Sequence, residues 1–172
     1  YSEKDDTAFC HMYASGDVEF KNGIKLNCKT EYPYGDTVDY KINGNGKIAI
    51  RIPSWSEKYS VIKNGQTVCS ENINGYIYIP VCDNDEIKLT LDMTPRFVYA
   101  SEKVADLTGK VAVCVGPMTY CFEGVDNDED VFSLYVNTNE TPIIEAYDEN
   151  TLGGTRKIRG KGFKKEAQSG LY

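Results

Sequence analysis

The sequence predicts an all-β fold, made of antiparallel β-sandwiches with little helix. Short runs in which apolar and polar residues alternate recur along the chain, as expected of strands with one buried face. Asn-Gly pairs separate several of these runs. No window of about a dozen residues shows the 3.6-residue apolar repeat of a helix. Short strands at intervals of about ten residues are typical of sandwich folds.

Four runs carry the alternation most clearly. Apolar side chains at every second position predict that one face of each strand is directed toward a core. The members, in chain order, are Val38, Tyr40 and Ile42; Ile48, Ile50 and Ile52; Tyr76 and Tyr78 against Ile77 and Ile79; and Ile87, Leu89, Leu91 and Met93.

Turn signals lie between these runs, at residues 43–46, 64–65 and 74–75. Asn-Gly favours the positive φ angles of a type I′ turn. Residues 61–63 and 66–68 are therefore predicted to form a hairpin around Asn64 and Gly65.

The organisation of the chain changes near residue 100. Pro95 ends the last of the four strands, because proline has no N–H to donate to a sheet. A polar connection at 101–110 leads to an apolar run at 111–122, and weaker strand patterns follow at about 132–136 and 143–147. We therefore expect a first β-sandwich domain over residues 1–105 and a second, less complete β-sandwich domain over residues 106–172.

Composition excludes several classes of protein. A chain of 172 residues can bury about 70% of its extended surface, so a core is expected without metal or disulfide staples. Its 19 basic and 26 acidic residues give a net charge of −7, which argues against nucleic-acid and anionic-membrane partners. No apolar run reaches the roughly 18 residues of a transmembrane helix. The basic segment at 156–165 is expected to lie along the acidic body as a charge-matched strand.

The six cysteines are expected to be reduced packing residues, since free cysteine behaves as a small hydrophobe. They are spread along the chain without a C-x-x-C pair, and their density is far below that of a disulfide-stapled scaffold. A reducing compartment, and hence a cytoplasmic location, is the expectation that follows.

No metal site is predicted. His11 adjoins Cys10, but neighbours in a strand point to opposite faces and do not easily share one metal. Residues 126–130 begin like a calcium loop. Such a loop needs glycine at its sixth position and glutamate at its twelfth, where this chain has Val131 and Asn137. A solvated acidic loop is the favoured interpretation.

Catalytic motifs are also missing from the sequence, which has no G-x-S-x-G, P-loop or H-E-x-x-H pattern. Four carboxylates could take part in acid–base chemistry, and only geometry could single out a pair. They are Asp92, Glu123, Asp126 and Glu145. Three aromatic residues, Trp55, Tyr32 and Tyr34, could stack on sugars, although packing is the commoner role of such rings.

Two segments point to a known family. Residues 50–55 read Ile-Arg-Ile-Pro-Ser-Trp, and residues 116–127 read Gly-Pro-Met-Thr-Tyr-Cys-Phe-Glu-Gly-Val-Asp-Asn. In this order they resemble the C-terminal β-sandwich region of glycoside hydrolase family 127, whose members include β-L-arabinofuranosidases. The resemblance spans about residues 1–130.

The resemblance implies a catalytic machinery that lies elsewhere. The family's cysteine nucleophile, and a zinc ion held by further cysteines and a glutamate, belong to an N-terminal (α/α)₆ barrel that ends with an adjacent cysteine pair. This sequence has no adjacent cysteine pair, so no catalytic, cofactor-binding or metal-ligating role passes to a numbered residue. Cys10, Cys114 and Cys121 are accordingly not taken as nucleophiles, and zinc is expected only in the barrel domain.

Three hypotheses follow. The first is a non-catalytic β-sandwich portion that supports a helical catalytic domain of the same parent chain, with a homodimer as a further expectation and carbohydrate contacted only indirectly. It expects the sequence, which opens with Tyr1, to be a piece of a longer protein. The second is a stand-alone carbohydrate-binding module that uses Trp55 or the Tyr32 and Tyr34 pair. The third, ranked last, is a self-sufficient glycosidase with two carboxylates about 5–10 Å apart.

Overall fold

A computed structural model describes residues 1–127 and 131–164, and over these residues the chain is built of strands. The predicted all-β class with little helix is confirmed. The strands are β1 (Ser2–Lys4), β2 (Thr7–Cys10), β3 (Gly16–Glu19), β4 (Lys25–Thr30), β5 (Thr37–Asn43), β6 (Gly46–Arg51), β7 (Tyr59–Lys63), β8 (Gln66–Thr67), β9 (Tyr76–Val81), β10 (Asp85–Leu91), β11 (Arg96–Tyr99), β12 (Val111–Val115), β13 (Met118–Tyr120), β14 (Leu134–Val136), β15 (Ile143–Ile144), β16 (Ile158–Arg159) and β17 (Gly162–Lys164).

Helical structure in the described residues is limited to three single turns of 3₁₀-helix. They span Ala105–Leu107, Gly124–Asp126 and Val131–Ser133. No helical segment in the described residues has the length and hydropathy needed to cross a membrane.

The chain forms two compact units, Tyr1–Met93 and Thr94–Tyr172. This division comes earlier than the predicted boundary between residues 105 and 106. The reason lies in β11, which pairs with β12 and so belongs with the second unit. Pro95 lies in the short connection immediately before that strand, which begins at Arg96.

The first unit is a sandwich of two sheets. One sheet has four strands in the order β1-β2-β6-β9, and the other has six in the order β3-β4-β5-β10-β7-β8. Neighbouring strands are antiparallel except β2 and β6, which are parallel. The apolar positions of the four predicted alternating runs meet in one core, with three exceptions. Met93 is only half-buried, and Tyr76 and Tyr78 lie on the opposite face of their strand from Ile77 and Ile79.

The predicted hairpin at residues 61–68 is confirmed. Ile62 pairs with Thr67 and Lys63 with Gln66. Asn64 and Gly65 take positive φ angles of 50° and 79°, as a type I′ turn requires. At residues 43–46, by contrast, the turn links strands of different sheets. A Cβ on Gly44 would lie 2.6 Å from the carbonyl oxygen of Gly23, so only glycine fits there.

The second unit consists of small sheets in its described part. Strands β11, β12 and β13 form one sheet, and the pairs β14–β17 and β15–β16 form two more. The strand patterns expected at 132–136 and 143–147 are shorter in the structure, β14 and β15. The basic segment supplies β16 and β17, with ion pairs from Arg159 to Glu145 and from Lys161 to Glu140; Lys165 lies outside the described residues.

A buried polar network ties the two sheets of the first unit together at one end. Asp85 opens β10 with a side chain only 8% exposed, and its carboxylate lies 2.7 Å from the Lys63 Nζ. It also accepts hydrogen bonds from the Asn64 side chain and the Cys82 N–H, both at 2.7 Å. Lys63 in turn donates to the carbonyl oxygen of Pro80 in β9, across the sandwich.

The network sets the ionisation of Asp85. Burial alone would raise its pKa, but the hydrogen bonds from Lys63, Cys82 and Asn64 outweigh burial and hold the pKa below its ordinary value. The carboxylate is therefore ionised in the folded protein at neutral pH.

We expect Asp85→Asn to lower the free energy of unfolding by about 3 kcal/mol, because it leaves Lys63 half-buried without its counter-charge. Denaturant unfolding at pH 7 measures the loss. Since the pKa of Asp85 is lower in the folded state, its contribution is complete above about pH 5. It fades as the pH falls below about 4 toward the folded-state pKa, so the difference between wild type and variant should shrink in acid.

Glu86→Gln is the matched control for this prediction. Glu86 is the next residue of β10, and it pairs with Lys41 at 3.1 Å on the exposed surface. Such pairs contribute about 0.5 kcal/mol or less. Equal losses for the two variants, or a difference that does not depend on pH, would contradict the role given to Asp85.

Candidate functional site

The outer face of the four-stranded sheet carries a cluster of aromatic rings. Phe9, Ala49 and Tyr78 are paired across β2, β6 and β9, so their side chains share the face that points away from the core. The Phe9 ring meets those of Tyr76 and Tyr78 edge-on, at centroid distances of 5.8 and 6.2 Å. Phe9 and His11 are stacked, 5.9 Å apart. We call Phe9, His11, Ala49, Tyr76 and Tyr78 the aromatic face.

Hydrogen bonds hold the rings of the aromatic face in place. The two ring nitrogens of His11 lie 2.7 Å from the Tyr76 hydroxyl and 2.7 Å from the Ser2 hydroxyl. Ser2 is in the edge strand β1 and Tyr76 in the opposite edge strand β9, so His11 connects both edges of the sheet. Each ring nitrogen therefore has a partner without any metal.

The aromatic face is tightly packed at its centre and still open at its rim. Ala49 is fully buried although it points away from the sandwich core, while Tyr78 remains 36% exposed. If a partner covered the part of each ring that is still exposed, this burial would stabilise the complex by on the order of 1 kcal/mol per ring. The face is thus preformed and apolar, with the hydroxyl groups of Ser2, Tyr76 and Tyr78 as polar atoms.

The outer face of the six-stranded sheet has a different character. A shallow groove of about 530 Å³ runs over it, lined mainly by charged and polar side chains. Cross-strand ion pairs join Lys41 to Glu86 at 3.1 Å and Lys88 to Asp39 at 3.4 Å, with all four side chains about half exposed or more. The charged side chains of these pairs are neutralised by each other, and the polar face is suited to contact with water.

The three aromatic residues considered for sugar stacking are half-buried. Trp55 and Tyr32 pack against the core of the first unit, and the Tyr32 ring meets Tyr13 edge-on at 5.1 Å. Tyr34 is half-buried in the turn that follows. A stacking platform needs exposed rings, so this arrangement favours packing.

The candidate carboxylates are divided between the two units. Asp92 is half-buried near the end of the first unit, and its backbone N–H donates to the Ser56 hydroxyl. In the second unit, Glu145 pairs with Arg159, while Glu123 and Asp126 are exposed around a 3₁₀ turn. Residues 128–130 of the predicted acidic loop lie outside the described residues.

Among the residues that the structure describes, no group of three or more His, Cys, Asp or Glu side chains is placed to hold a metal ion. His11 follows β2 directly, and its ring belongs to the aromatic face, whereas Cys10 points into the core. The two neighbours therefore occupy opposite faces, as expected from strand geometry.

The six cysteines are free thiols. Cys10, Cys28 and Cys114 are buried, but Cys69, Cys82 and Cys121 are exposed, so packing explains only half of them. Burial, followed by the nearby Cys28, raises the pKa of Cys10 to about 12, and burial also raises the pKa of Cys28. Both thiols are therefore protonated and poorly nucleophilic at neutral pH.

Sequence reasoning did not single out the aromatic face as a site. The alternation of Tyr76 and Tyr78 with Ile77 and Ile79 predicts a strand with one buried face, and it does not indicate a ring cluster on the tyrosine side. Phe9 gave no signal, because only pairing across three strands brings it beside those tyrosines.

Comparison with known proteins identifies close structural relatives. The protein-family model described as "Beta-L-arabinofuranosidase, GH127 middle domain" matches residues 7–93. A second family model, described as "Glycoside hydrolase family 127 C-terminal domain", matches residues 95–159. A non-reducing end β-L-arabinofuranosidase of Bifidobacterium longum subsp. longum is 30% identical over 92% of this chain and 26% of its own length.

Two solved structures agree with this match. The GH127 β-L-arabinofuranosidase Ara127N of Geobacillus stearothermophilus T6 superposes with a TM-score of 0.89 at 29% identity, over 100% of this chain and 29% of the other. A second GH127 β-arabinofuranosidase gives a TM-score of 0.82 at 28% identity, over 95% of this chain and 31% of the other. The chain thus spans less than a third of the length of these relatives.

We expect iodoacetamide at pH 8 to modify Cys69, Cys82 and Cys121 in the folded chain and to spare Cys10, Cys28 and Cys114. Peptide mapping by mass spectrometry reports the labelled positions, and labelling in urea should reach all six. Fast modification of Cys10 in the folded chain would contradict its burial and raised pKa.

Trp55→Ala should lower the free energy of unfolding by about 2 kcal/mol, since the half-buried indole packs on the core. Denaturant unfolding measures this loss. Isothermal titration of the wild-type chain with arabinan fragments should give no heat. A stable variant that loses measurable sugar binding would show instead that the ring is a stacking platform.

Proposed function

The chain belongs to glycoside hydrolase family 127, and from that membership we propose that it is the non-catalytic β-sandwich portion of a β-L-arabinofuranosidase-like enzyme. In this proposal the chain supports a helical-barrel catalytic domain of the same parent polypeptide. Its role is to hold that domain in a stable fold, and it contacts carbohydrate only indirectly.

One observation carries the proposal. The family's middle and C-terminal domain models match this chain one after the other, over residues 7–93 and 95–159. The same chain covers only 26–31% of its relatives. Domains that bear these two descriptions are therefore present here, while most of the relatives' length has no counterpart in this sequence.

The chemistry is assigned to the barrel domain as part of the proposal. The cysteine nucleophile and the zinc ion that the family resemblance implies are expected there, and this assignment stays a prediction. It agrees with the protonated state of Cys10 and Cys28, whose raised pKa values make them poor thiolate nucleophiles.

A stand-alone carbohydrate-binding module is the alternative. It requires exposed rings, but Trp55, Tyr32 and Tyr34 are half-buried, and two of them pack on the core. In the aromatic face, Tyr78 is 36% exposed, whereas Phe9, His11 and Tyr76 are half-buried. Tyr76 and His11 are also hydrogen-bonded to each other. The supporting role is therefore preferred.

Two finer expectations remain proposals. The proposal of a homodimer is supported by the exposed apolar side chains of the second unit, such as Phe132 at 97% and Leu152 at 84% exposure. The proposal of a cytoplasmic location is supported by the six free thiols, because thiols stay reduced in that compartment.

The isolated chain should show no turnover of 4-nitrophenyl β-L-arabinofuranoside, with or without added zinc, because the residues that break the bond lie on other polypeptide. The longer polypeptide encoded with this chain should hydrolyse the same compound. Release of nitrophenol measures both activities, and a buffer blank sets the baseline.

Turnover by the isolated chain that Glu123→Gln or Glu145→Gln abolishes would overturn the proposal and favour a carboxylate glycosidase. A coding region in which no helical domain precedes Tyr1 would instead favour the free-standing module.

A further inference from the structure

We infer that the aromatic face of the first unit is the surface on which the helical catalytic domain docks. This inference rests on the proposed function and adds to it the contact surface and its chemistry. The partner surface it fits is an apolar helix face with a few hydrogen-bonding groups, which would pack on Phe9 and Tyr78 and reach the hydroxyls at the rim.

The first argument is that the four-stranded sheet is apolar on both sides at its centre, between the exposed Lys47 and Arg51 on the outer side of β6. Its inner face, with Ile48, Ile50 and Ile77, fills the sandwich core. Its outer face holds Phe9 and Tyr78 over a fully buried Ala49. A sheet with two apolar faces is typical of proteins in which both faces are covered, whereas a sheet with one solvated face alternates apolar with polar residues.

The second argument is the contrast with the other sheet of the same sandwich. There the outward side chains are charged and joined by the cross-strand pairs Lys41–Glu86 and Lys88–Asp39. The two outer faces belong to one folded unit, and their centres differ in this respect. A domain docked on the charged face would have to remove these charges from water, which is unfavourable. Docking on the aromatic face would carry a much smaller desolvation penalty.

The third argument concerns the chain outside the described sequence. The relatives are about three to four times as long as this chain, which covers 26–29% of the first two. Strand β1 begins at Ser2 and forms the edge of the sheet that bears the aromatic face. The Ser2 hydroxyl itself touches His11. Polypeptide joined to this end of the chain therefore emerges beside the aromatic face.

The exposed apolar residues of the second unit are a weaker choice for this partner. Phe132 lies in a 3₁₀ turn and Val125 in another, and Phe163 stacks on Tyr135 in a two-stranded ribbon. These side chains stand on short separate elements. The aromatic face, by contrast, is a continuous ring cluster on three paired strands.

The test introduces a charge at equally exposed positions on the two outer faces. Tyr78→Glu places it on the aromatic face at a residue 36% exposed, and Ile62→Glu places it on the charged face at a residue 37% exposed. Both substitutions are made in the isolated chain and in the longer polypeptide encoded with it. Circular dichroism gives the thermal midpoints, and nitrophenol release gives the arabinofuranosidase activity.

In the isolated chain, both variants should unfold within about 2 °C of wild type, since both positions are open to water. In the longer polypeptide, Tyr78→Glu should lower the thermal midpoint by about 5 °C or more and the activity at least tenfold, because docking would bury its charge without a partner. Ile62→Glu should remain close to wild type in both settings. If Tyr78→Glu unfolds the isolated chain, Tyr78→Ser replaces it.

Failure of the inference is distinct from failure of the proposed function. An active longer polypeptide in which Tyr78→Glu behaves like Ile62→Glu would overturn the docking surface and leave the supporting role intact. A longer polypeptide without a helical domain or without arabinofuranosidase activity would overturn both.

Discussion

The structure of the first unit depends on one constraint, the two-sidedness of a β-strand. Successive side chains point to opposite faces, so each of the two faces of a sheet must either be covered by other groups or be polar enough to face water. The six-stranded sheet puts apolar residues inward and charged pairs outward. The four-stranded sheet puts Ile48, Ile50, Ile77 and Ile79 inward and the Phe9–Tyr78 cluster outward. The six-stranded sheet covers only the inner apolar face of the four-stranded sheet, and the inferred docking would cover the outer one.

Polar groups stabilise this arrangement at two places and in two ways. At one end of the sandwich, Asp85 and Lys63 hold the sheets together through a buried network that also reaches Asn64 and Pro80. On the aromatic face, His11 joins Ser2 to Tyr76 and fixes the rings before any partner arrives. A rigid, preformed surface loses less conformational entropy on docking than a flexible one, which suits a permanent supporting role.

Much of the fold could be predicted from local patterns. Alternation identified the buried faces of β5, β6, β9 and β10, and Asn64-Gly65 identified its hairpin. The pairing of β11 with β12 could not be read from Pro95, because the proline suggested an end where the structure starts a new sheet. The parallel pairing of β2 with β6 and the meeting of Phe9 with Tyr78 depend on contacts between residues far apart in sequence, which no local pattern reports. The cysteine pattern predicted free thiols but not the exposure of Cys69, Cys82 and Cys121.

Hydroxyl-radical footprinting of the longer polypeptide, compared with the isolated chain, tests the central claim most directly. The account predicts that oxidation of Phe9, Tyr76 and Tyr78 falls several-fold when the catalytic domain is present, while oxidation of Ile62 on the opposite outer face stays the same. Equal oxidation of the aromatic face in both proteins, or protection of Ile62 alone, would contradict it.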